Sequence, residues 1–175
     1  MADAPEIVEK SITFEAAPER LWSMLTEQES FASWYAFGGA TIEAEPGGVL
    51  AVHWPEHGTF RGEVMLVESP RRFGYRLAAV PEEDPQPQNS TVVEFTIEPA
   101  DGGSALTVRH SGFEDLEGIA ADSTSAEIET MAWTAALPLL REALGRAANN
   151  QTKAAELLGL SRFGLQKKLK RYNFA

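Results

Sequence analysis

The chain has 175 residues, of which 43% are hydrophobic and 23% charged, and its net charge is −11. That length allows one sizeable core and a small appendage. Cysteine is absent, which excludes disulfides and thiolate metal sites. The sequence contains no run of about 18 apolar residues, so no membrane span is predicted. The stretch Met1–Glu6 lacks the basic and apolar regions of a secretory signal, so we expect a cytoplasmic protein.

The first predicted elements are one strand and two helices. Apolar and charged residues alternate along Glu6–Phe14, which is typical of a strand. The segment Pro18–Leu25 begins with proline and has apolar residues at helical spacing, so it predicts a helix. A second short helix is predicted over about Glu29–Tyr35.

Six further strands are predicted at short, regular intervals, separated by turns rich in glycine and proline. They are Ala40–Ala44, Val49–Trp54, Thr59–Glu68, Arg72–Leu77, Thr91–Glu98 and Ala105–Ser111. Strands spaced this closely indicate an antiparallel meander. Two acidic segments, Pro81–Ser90 and Glu114–Ser123, are predicted loops.

A long helix is predicted next, over about Ser125–Ala148. We expect its core-facing stripe to consist of the apolar residues Ile128, Met131, Ala132, Ala135, Leu139, Leu140 and Leu144. Pro138 should kink this helix, because proline removes one backbone donor and its ring crowds the preceding turn.

This order of elements resembles the helix-grip fold of the START and polyketide-cyclase (SRPBCC) superfamily, and in particular the family of heat-shock-protein-ninety ATPase activator homologues. The resemblance covers about Ile7 to Leu144. It is carried by Ile12–Trp22, Pro46–Gly48, Gly58–Val64 and Glu68–Tyr75. It implies an α+β fold in which a long C-terminal helix closes over an antiparallel sheet, and a first domain over residues 1–144.

The last 31 residues differ in charge from the rest of the chain. Residues 145–175 hold seven basic residues and one acidic residue, a net charge of +6, whereas the remainder holds eight basic and 25 acidic residues, a net charge of −17. The split suggests a polyanion-binding tail on an acidic body. A solvated basic helix face would produce the same charge count.

Two short helices that meet at a tight turn are predicted in this segment. Asn150 and Ser161 can cap them, and Gly159 suits the turn because glycine adopts a positive φ without strain. On the second helix, Leu165 and Leu169 lie four residues apart, and Tyr172 follows three residues later, so that they form one inward face.

The segment resembles the Fis-type helix-turn-helix over about Glu142 to Phe174, most strongly in Asn-Gln-Thr-Lys-Ala-Ala, Leu-Gly-Leu-Ser-Arg and Lys-Lys-Leu-Lys-Arg-Tyr. The resemblance implies a DNA-binding unit over residues 145–175, with a recognition helix over about Arg162–Arg171 in the major groove, and dimers that address two half-sites. Gly164 and Phe163 depart from the family pattern, which makes DNA contact a firmer expectation than sequence specificity. A hairpin that only docks on the first domain is the alternative.

The resemblance assigns the contacts to individual residues. Arg162 and Lys167 would reach base edges, and Gln166 could pair with adenine. Phosphate would be held by Gln151, Thr152 and Ser161, with backbone charge added by Lys168, Lys170 and Arg171. The long helix of the first domain is expected to run on into this unit near Arg141–Ala148.

A ligand cavity under the long helix is the other site that the helix-grip resemblance implies. Our candidates for lining it are Trp54, Phe60, Tyr75 and Trp133. The segment His53–His57 spells a metalloprotease signature, but that signature needs a helix, and this segment is predicted as strand and turn. His110 is predicted to be a packed or surface residue. We expect no metal site, no cofactor and no catalytic set.

The sequence therefore supports three hypotheses. The first is a DNA-binding transcriptional regulator or nucleoid-associated factor, a homodimer whose START-like domain senses a small apolar ligand or docks on a partner. The second is a co-chaperone-like interaction module whose basic tail docks on an acidic chaperone partner. The third is a cyclase-type enzyme that acts on a small hydrophobic substrate.

Overall fold

The computed structural model describes the backbone of residues 7–36 and 38–158, and their side chains up to residue 145. The elements in chain order are β1 Ile7–Phe14, α1 Pro18–Thr26, α2 Gln28–Ala32, β2 Ala40–Ile42, β3 Val49–Trp54, β4 Gly58–Glu68, β5 Arg72–Ala78, β6 Ser90–Ala100, β7 Gly103–Ser111, a 3-10 turn Phe113–Asp115, α3 Gly118–Ser123 and α4 Ala126–Leu158. The chain divides into two compact units between Leu140 and Arg141.

The strands form one seven-stranded sheet in the order β1-β7-β6-β5-β4-β3-β2. Every neighbouring pair is antiparallel. Strands β2 to β7 follow one another as a meander, and β1 returns to pair with β7, from Ile7 opposite Ser111 to Phe14 opposite Ser104. The predicted antiparallel sheet and the α+β helix-grip fold are confirmed.

Alternation along the central strands determines which side chains face the core. In β6, Val93, Phe95 and Ile97 are buried while the residues between them are half-buried, as the two-residue period of a strand requires. In β7 the partner of Val93 is His110. His110 therefore lies on the core face and is only 4% exposed.

The two N-terminal helices are anchored by apolar contacts and one buried indole. Pro18 occupies the first turn of α1, where its missing N–H leaves no helical hydrogen bond unmade. Leu21 and Leu25 are fully buried. Beyond α2, the Trp34 Nε1–H donates to the Met24 carbonyl at 2.9 Å, which ties the end of the second helix to the first. The predicted helix over Glu29–Tyr35 is shorter in the structure, because residues 33–35 form a turn.

Helix α4 buries a different face from the predicted one. Its buried residues in the first unit are Ala126, Trp133, Ala136, Leu137 and Leu140. The prediction was right for Leu140 and Leu144, which are buried, whereas Leu139 is half-buried and Ile128, Met131, Ala132 and Ala135 are exposed. The helix carries two apolar stripes, and the one that contains the large Trp133 ring packs inward, because it removes more apolar surface from water.

Two segments and one predicted N-cap also differ from the prediction. The acidic segment Glu114–Ser123 includes most of a 3-10 turn and all of α3 rather than being only a loop. Helix α4 runs on through Arg141–Ala148, as expected, but it continues beyond the predicted end near Ala148 to Leu158. Asn150 consequently lies inside a helix and cannot be an N-cap, because an N-cap residue has non-helical backbone angles. Within the described residues, no helix is both long and apolar enough to cross a membrane.

Candidate functional site

The predicted DNA contacts lie at the edge of the described residues or beyond them. Gln151 and Thr152 belong to the helical backbone of α4, but their side chains are outside the described part of the chain. The remaining predicted contacts, Ser161, Arg162, Gln166, Lys167, Lys168, Lys170 and Arg171, lie wholly outside the described residues. Their roles stay predictions.

Three of the four predicted cavity residues belong to one cluster of aromatic rings. Tyr35 joins two of them: its ring is 5.3 Å from that of Trp54 and 5.2 Å from that of Trp133, where the planes are nearly parallel at 13°. Phe95 joins the third, because its ring lies 5.7 Å from Trp133 and 6.1 Å from Tyr75. The structure thus brings Trp54, Tyr75 and Trp133 together through Tyr35 and Phe95.

The fourth predicted residue, Phe60, lies on β4 opposite Val52 of β3. Val52 is fully buried and Phe60 is half-buried. Because paired residues of neighbouring strands point to the same side of a sheet, Phe60 faces the same side as Val52. It therefore shares the core face with the cluster.

His110 is the polar centre of the cluster, and both of its ring nitrogens are hydrogen-bonded. The Trp133 indole N–H, which can only donate, donates to Nδ1 at 3.1 Å. In the neutral ring the proton must therefore sit on Nε2, which donates to the Thr91 hydroxyl at 2.7 Å. Burial lowers the pKa of His110 to about 3, so the neutral tautomer is the stable form near neutral pH.

Glu129 lies on α4 one turn before Trp133 and faces the same histidine. One of its carboxyl oxygens accepts a hydrogen bond from the Thr124 hydroxyl at 2.8 Å, and the other is 3.7 Å from His110 Nδ1. That second contact is not an ion pair while His110 is neutral. Burial raises the pKa of Glu129, partly offset by the hydrogen bond from Thr124.

Tyr75 and Tyr35 supply the remaining hydroxyl groups. Tyr75 is fully buried, and its hydroxyl has no hydrogen-bond partner among the described residues. Burial, and then the proximity of Tyr35 and Glu129, raise the pKa of Tyr75 well above its usual value. Burial and Glu129 also raise the pKa of Tyr35. Both hydroxyls are therefore protonated at neutral pH.

The cluster combines aromatic faces with hydrogen-bonding groups, and its burial disfavours charged groups. Its aromatic faces suit a planar ring, and the Tyr75 hydroxyl suits an acceptor atom. No group of three or more His, Asp or Glu side chains in the described part of the chain could hold a metal ion. Residues 53–57 form the end of β3 and a turn, as predicted.

Tyr35 and Glu129 were not predicted from the sequence. Glu129 could have been found from its spacing, because it is three residues after Ala126 and four before Trp133 on the helix face that is buried. Because Ile128 and Met131 were predicted to face the core, Glu129 was placed on the opposite, exposed face of the helix. Tyr35 carries no such signal, since it lies in an irregular turn after α2.

A separate surface groove of about 320 Å³ lies beside β3 and is lined by Gly38, Gly39, Ala40, Thr41, Ala51, His53 and Thr59. It contains none of the four predicted cavity residues. A Cβ atom at Gly38 would lie 2.4 Å from the His53 ring, so this close approach requires glycine. The His53 ring is fixed by a 2.9 Å hydrogen bond between Nδ1 and the Thr59 hydroxyl.

Two family models match the chain. The model described as activator of Hsp90 ATPase homolog 1-like protein matches residues 15–145, which is most of the chain. The model described as bacterial regulatory protein, Fis family, matches residues 137–172. The two matches overlap over residues 137–145. A comparison with curated proteins finds no match.

Several solved structures share the fold of the first unit. The protein MLL2253 from Mesorhizobium loti is 22% identical, with a TM-score of 0.63 over 80% of this chain and 97% of that chain. A protein from Rhodobacter sphaeroides is 24% identical, with a TM-score of 0.60 over 83% and 96% of the two chains. The Aha1 dimer from Colwellia psychrerythraea is 17% identical, with a TM-score of 0.63 over 79% and 95%.

Proposed function

The chain belongs to the family of activator of Hsp90 ATPase homolog 1-like proteins, and from this premise we propose that it is a DNA-binding transcriptional regulator or nucleoid-associated factor. The family domain, residues 1–144, serves as its sensing or docking domain. The observation that carries the proposal is the match of residues 137–172 to the Fis family of bacterial regulatory proteins.

The charge distribution supports the same assignment. The Fis-family match includes most of the segment 145–175, whose net charge is +6 in a chain of net charge −11. Lysine and arginine neutralise DNA phosphates and release counterions, which is the main source of sequence-independent affinity for DNA. Arg162 and Lys167 are assigned to base edges, and the other basic residues of the segment to the backbone.

We further propose that the protein acts as a homodimer. Fis-type units use two recognition helices to address two half-sites about one duplex turn apart. The solved Aha1 dimer from Colwellia psychrerythraea, which shares the fold of the first unit, supports a dimer for this chain. Sedimentation equilibrium of the full chain tests this point, and a monomer at all accessible concentrations contradicts it.

The experiment is a fluorescence anisotropy titration of labelled genomic duplexes with the full chain. We expect binding at about 50 mM salt that weakens steeply toward about 200 mM, with a log–log slope near −0.9 for each phosphate neutralised. Arg162→Ala and Lys167→Ala should weaken binding and lower the slope. Arg71→Ala, which removes one exposed positive charge from the acidic unit, is the matched control and should leave the slope unchanged. Absence of binding to any duplex at about 50 mM salt would refute the proposal.

A co-chaperone-like role is the second candidate, because the family description names an activator of Hsp90 ATPase. The steady-state ATPase rate of purified Hsp90, measured with and without the full chain, tests it directly. Stimulation that persists in the Arg162→Ala/Lys167→Ala double variant would favour this role over DNA binding. Stimulation in neither protein would exclude it.

We propose a binding role for the first domain in preference to a catalytic one. Both ring nitrogens of His110 are engaged, one by Trp133 and one by Thr91. A general base needs a free nitrogen within hydrogen-bond reach of the proton that it removes. His110 would have to break one of its two internal hydrogen bonds to meet that condition.

A further inference from the structure

Helix α4 carries an apolar stripe on its outer side, away from the residues that pack into the core. This outer stripe consists of Ile128, Met131, Ala135 and Pro138. Ile128 is 45% exposed and Met131 is 69% exposed, and the other two are also exposed. Their spacing of three, four and three residues keeps them on one side of the helix. Such a continuous apolar surface, unlike single exposed apolar residues, is typical of a contact site.

From residue 128 to residue 140, all of which the structure describes, the outer side of α4 carries no charged side chain. The one charged residue in this part of the helix is Glu129, which is half-buried and faces His110 on the core side. A helix side that faces only water normally carries charged residues, and 23% of this chain is charged. Depletion of charge together with an exposed methionine is typical of the centre of a protein–protein interface.

A second copy of the chain fits this surface by charge. Residues 1–144 have a net charge of −17, so two copies repel each other wherever their acidic surfaces meet. At the uncharged outer stripe they can approach without bringing carboxylates together. A strongly basic partner gains nothing there, because the stripe itself offers no carboxylate.

The order of side-chain sizes determines how two outer stripes would pack. A spacing of three and four residues is that of the contact seam between two packed helices. When two copies of α4 run antiparallel about a two-fold axis midway between Met131 and Ala135, Met131 faces Ala135 of the partner subunit. Ile128 then faces Pro138 of the partner subunit. Each layer combines a longer with a more compact side chain and occurs twice, as two-fold symmetry requires. A parallel pair would instead leave a gap between two Ala135 residues.

The charged residues that follow the outer stripe at its two ends are complementary in the same arrangement. Glu127 and Arg141 are two heptads apart in the sequence of α4, so both flank the stripe on the same side. The antiparallel pairing brings Glu127 of each copy to within about 3 Å, measured along the helix axis, of the level of Arg141 of the partner subunit. Opposite charges therefore meet at both ends, whereas a parallel pair places like charges at the same level.

We propose that the outer stripe is the dimer interface of this protein, in which α4 packs antiparallel against α4 of a second copy. This inference rests on the homodimer of the proposed function and names the surface that forms it. A single pair of helices buries less area than a standard interface of about 1,600 Å², so we expect a dissociation constant in the micromolar range.

The test is sedimentation equilibrium of the full chain, without DNA, over a range of concentrations. Met131→Glu places a carboxylate opposite Ala135 of the partner subunit at two symmetric positions, where it is desolvated without a partner. It should therefore weaken the dimer about 100-fold, which is about tenfold for each position. Met65→Glu is the matched control, because it makes the same change on β4 at a residue that is 49% exposed. It should leave the dimer unchanged, and far-ultraviolet circular dichroism verifies that both variants are folded.

The double variant Met131→Glu/Ala135→Lys tests the direction of the helices. In the antiparallel dimer each new carboxylate faces a new ammonium group of the other copy, so the dimer should regain at least about tenfold in affinity over Met131→Glu. In a parallel dimer the new groups would face like charges, and affinity would fall further.

Three results would overturn the proposal: a monomeric wild type, a Met131→Glu variant that dimerises as the wild type or the Met65→Glu control does, or no recovery in the double variant. The Arg162→Ala/Lys167→Ala variant, in which the proposed DNA contacts are removed, should dimerise as the wild type does. A chain that dimerises through the outer stripe but binds no duplex therefore refutes DNA binding alone. A chain that binds DNA while Met131→Glu stays dimeric refutes this interface alone.

Discussion

Replacing Tyr75 by phenylalanine removes only its hydroxyl, which has no hydrogen-bond partner in the part of the chain that the structure describes. The ring contacts with Phe73 and Phe95 at about 6 Å are retained. An unpaired buried hydroxyl costs about 1–3 kcal/mol, and small rearrangements recover part of that, so we expect the free energy of unfolding to rise by about 1 kcal/mol. For a chain of this length the melting temperature should rise by about 2–4 °C.

Urea denaturation followed by far-ultraviolet circular dichroism measures this change, with an m-value that should stay constant. Thr91→Val is the contrasting variant, because its hydroxyl accepts the hydrogen bond from His110 Nε2. Its loss leaves a buried donor unsatisfied and should lower the free energy of unfolding by about 1–3 kcal/mol. The reasoning is refuted if Tyr75→Phe lowers stability as much as Thr91→Val does.

Three further predictions concern the titrating groups and the groove. Burial lowers the pKa of His110 to about 3 from an ordinary 6.5, so the unfolded chain binds a proton before the folded chain does as the pH falls. The contribution of His110 to the free energy of unfolding therefore declines between about pH 6.5 and 3. Proton NMR should show no titration of its ring down to about pH 4. The raised pKa of Glu129 produces the opposite pH dependence, because the native state favours the protonated carboxyl. Stability is lost as the pH rises through the folded pKa. In paired urea titrations, Glu129→Gln should therefore gain more free energy of unfolding, relative to the wild type, at pH 8 than at pH 4. Gly38→Ala should lower the melting temperature, since its Cβ would lie 2.4 Å from the His53 ring, a clash worth about 1–3 kcal/mol.

The strands were predictable because apolar residues that recur at every second position are typical of a strand with one buried face. The predicted β3 over Val49–Trp54 has the observed bounds, and β4 and β5 differ from their predictions by a single residue at one end. The lengths of these strands are set locally, by turns such as the one around Gly58 with its positive φ. Nothing distant in the chain is needed to place them.

The face of α4 was not predictable from the same kind of pattern. Its sequence offers two apolar stripes, one with Ile128 and Met131 and the other with Trp133 and Leu137. The choice between them is made by contacts across the fold, namely the burial of the Trp133 ring against Tyr35 and Phe95 and its hydrogen bond to His110, 23 residues earlier in the chain. Trp54, Tyr75 and Trp133 were expected from the fold that the sequence resembles, whereas Tyr35, in an irregular turn, was not. The burial of Glu129 could be predicted only if the buried stripe was already known.

Sensing and docking, the two roles proposed for the first domain, differ in one measurable consequence. A regulator that senses a ligand requires that the ligand change the affinity for DNA, and the coupling is reciprocal: DNA must change the affinity for the ligand by the same factor. The residues that both family models match, 137–145, are the segment of sequence through which such coupling would act. If a ligand that saturates the first domain leaves DNA affinity unchanged, ligand binding and DNA binding are independent, and sensing of that ligand is excluded. A tight ligand with equal affinity for both states shifts no equilibrium.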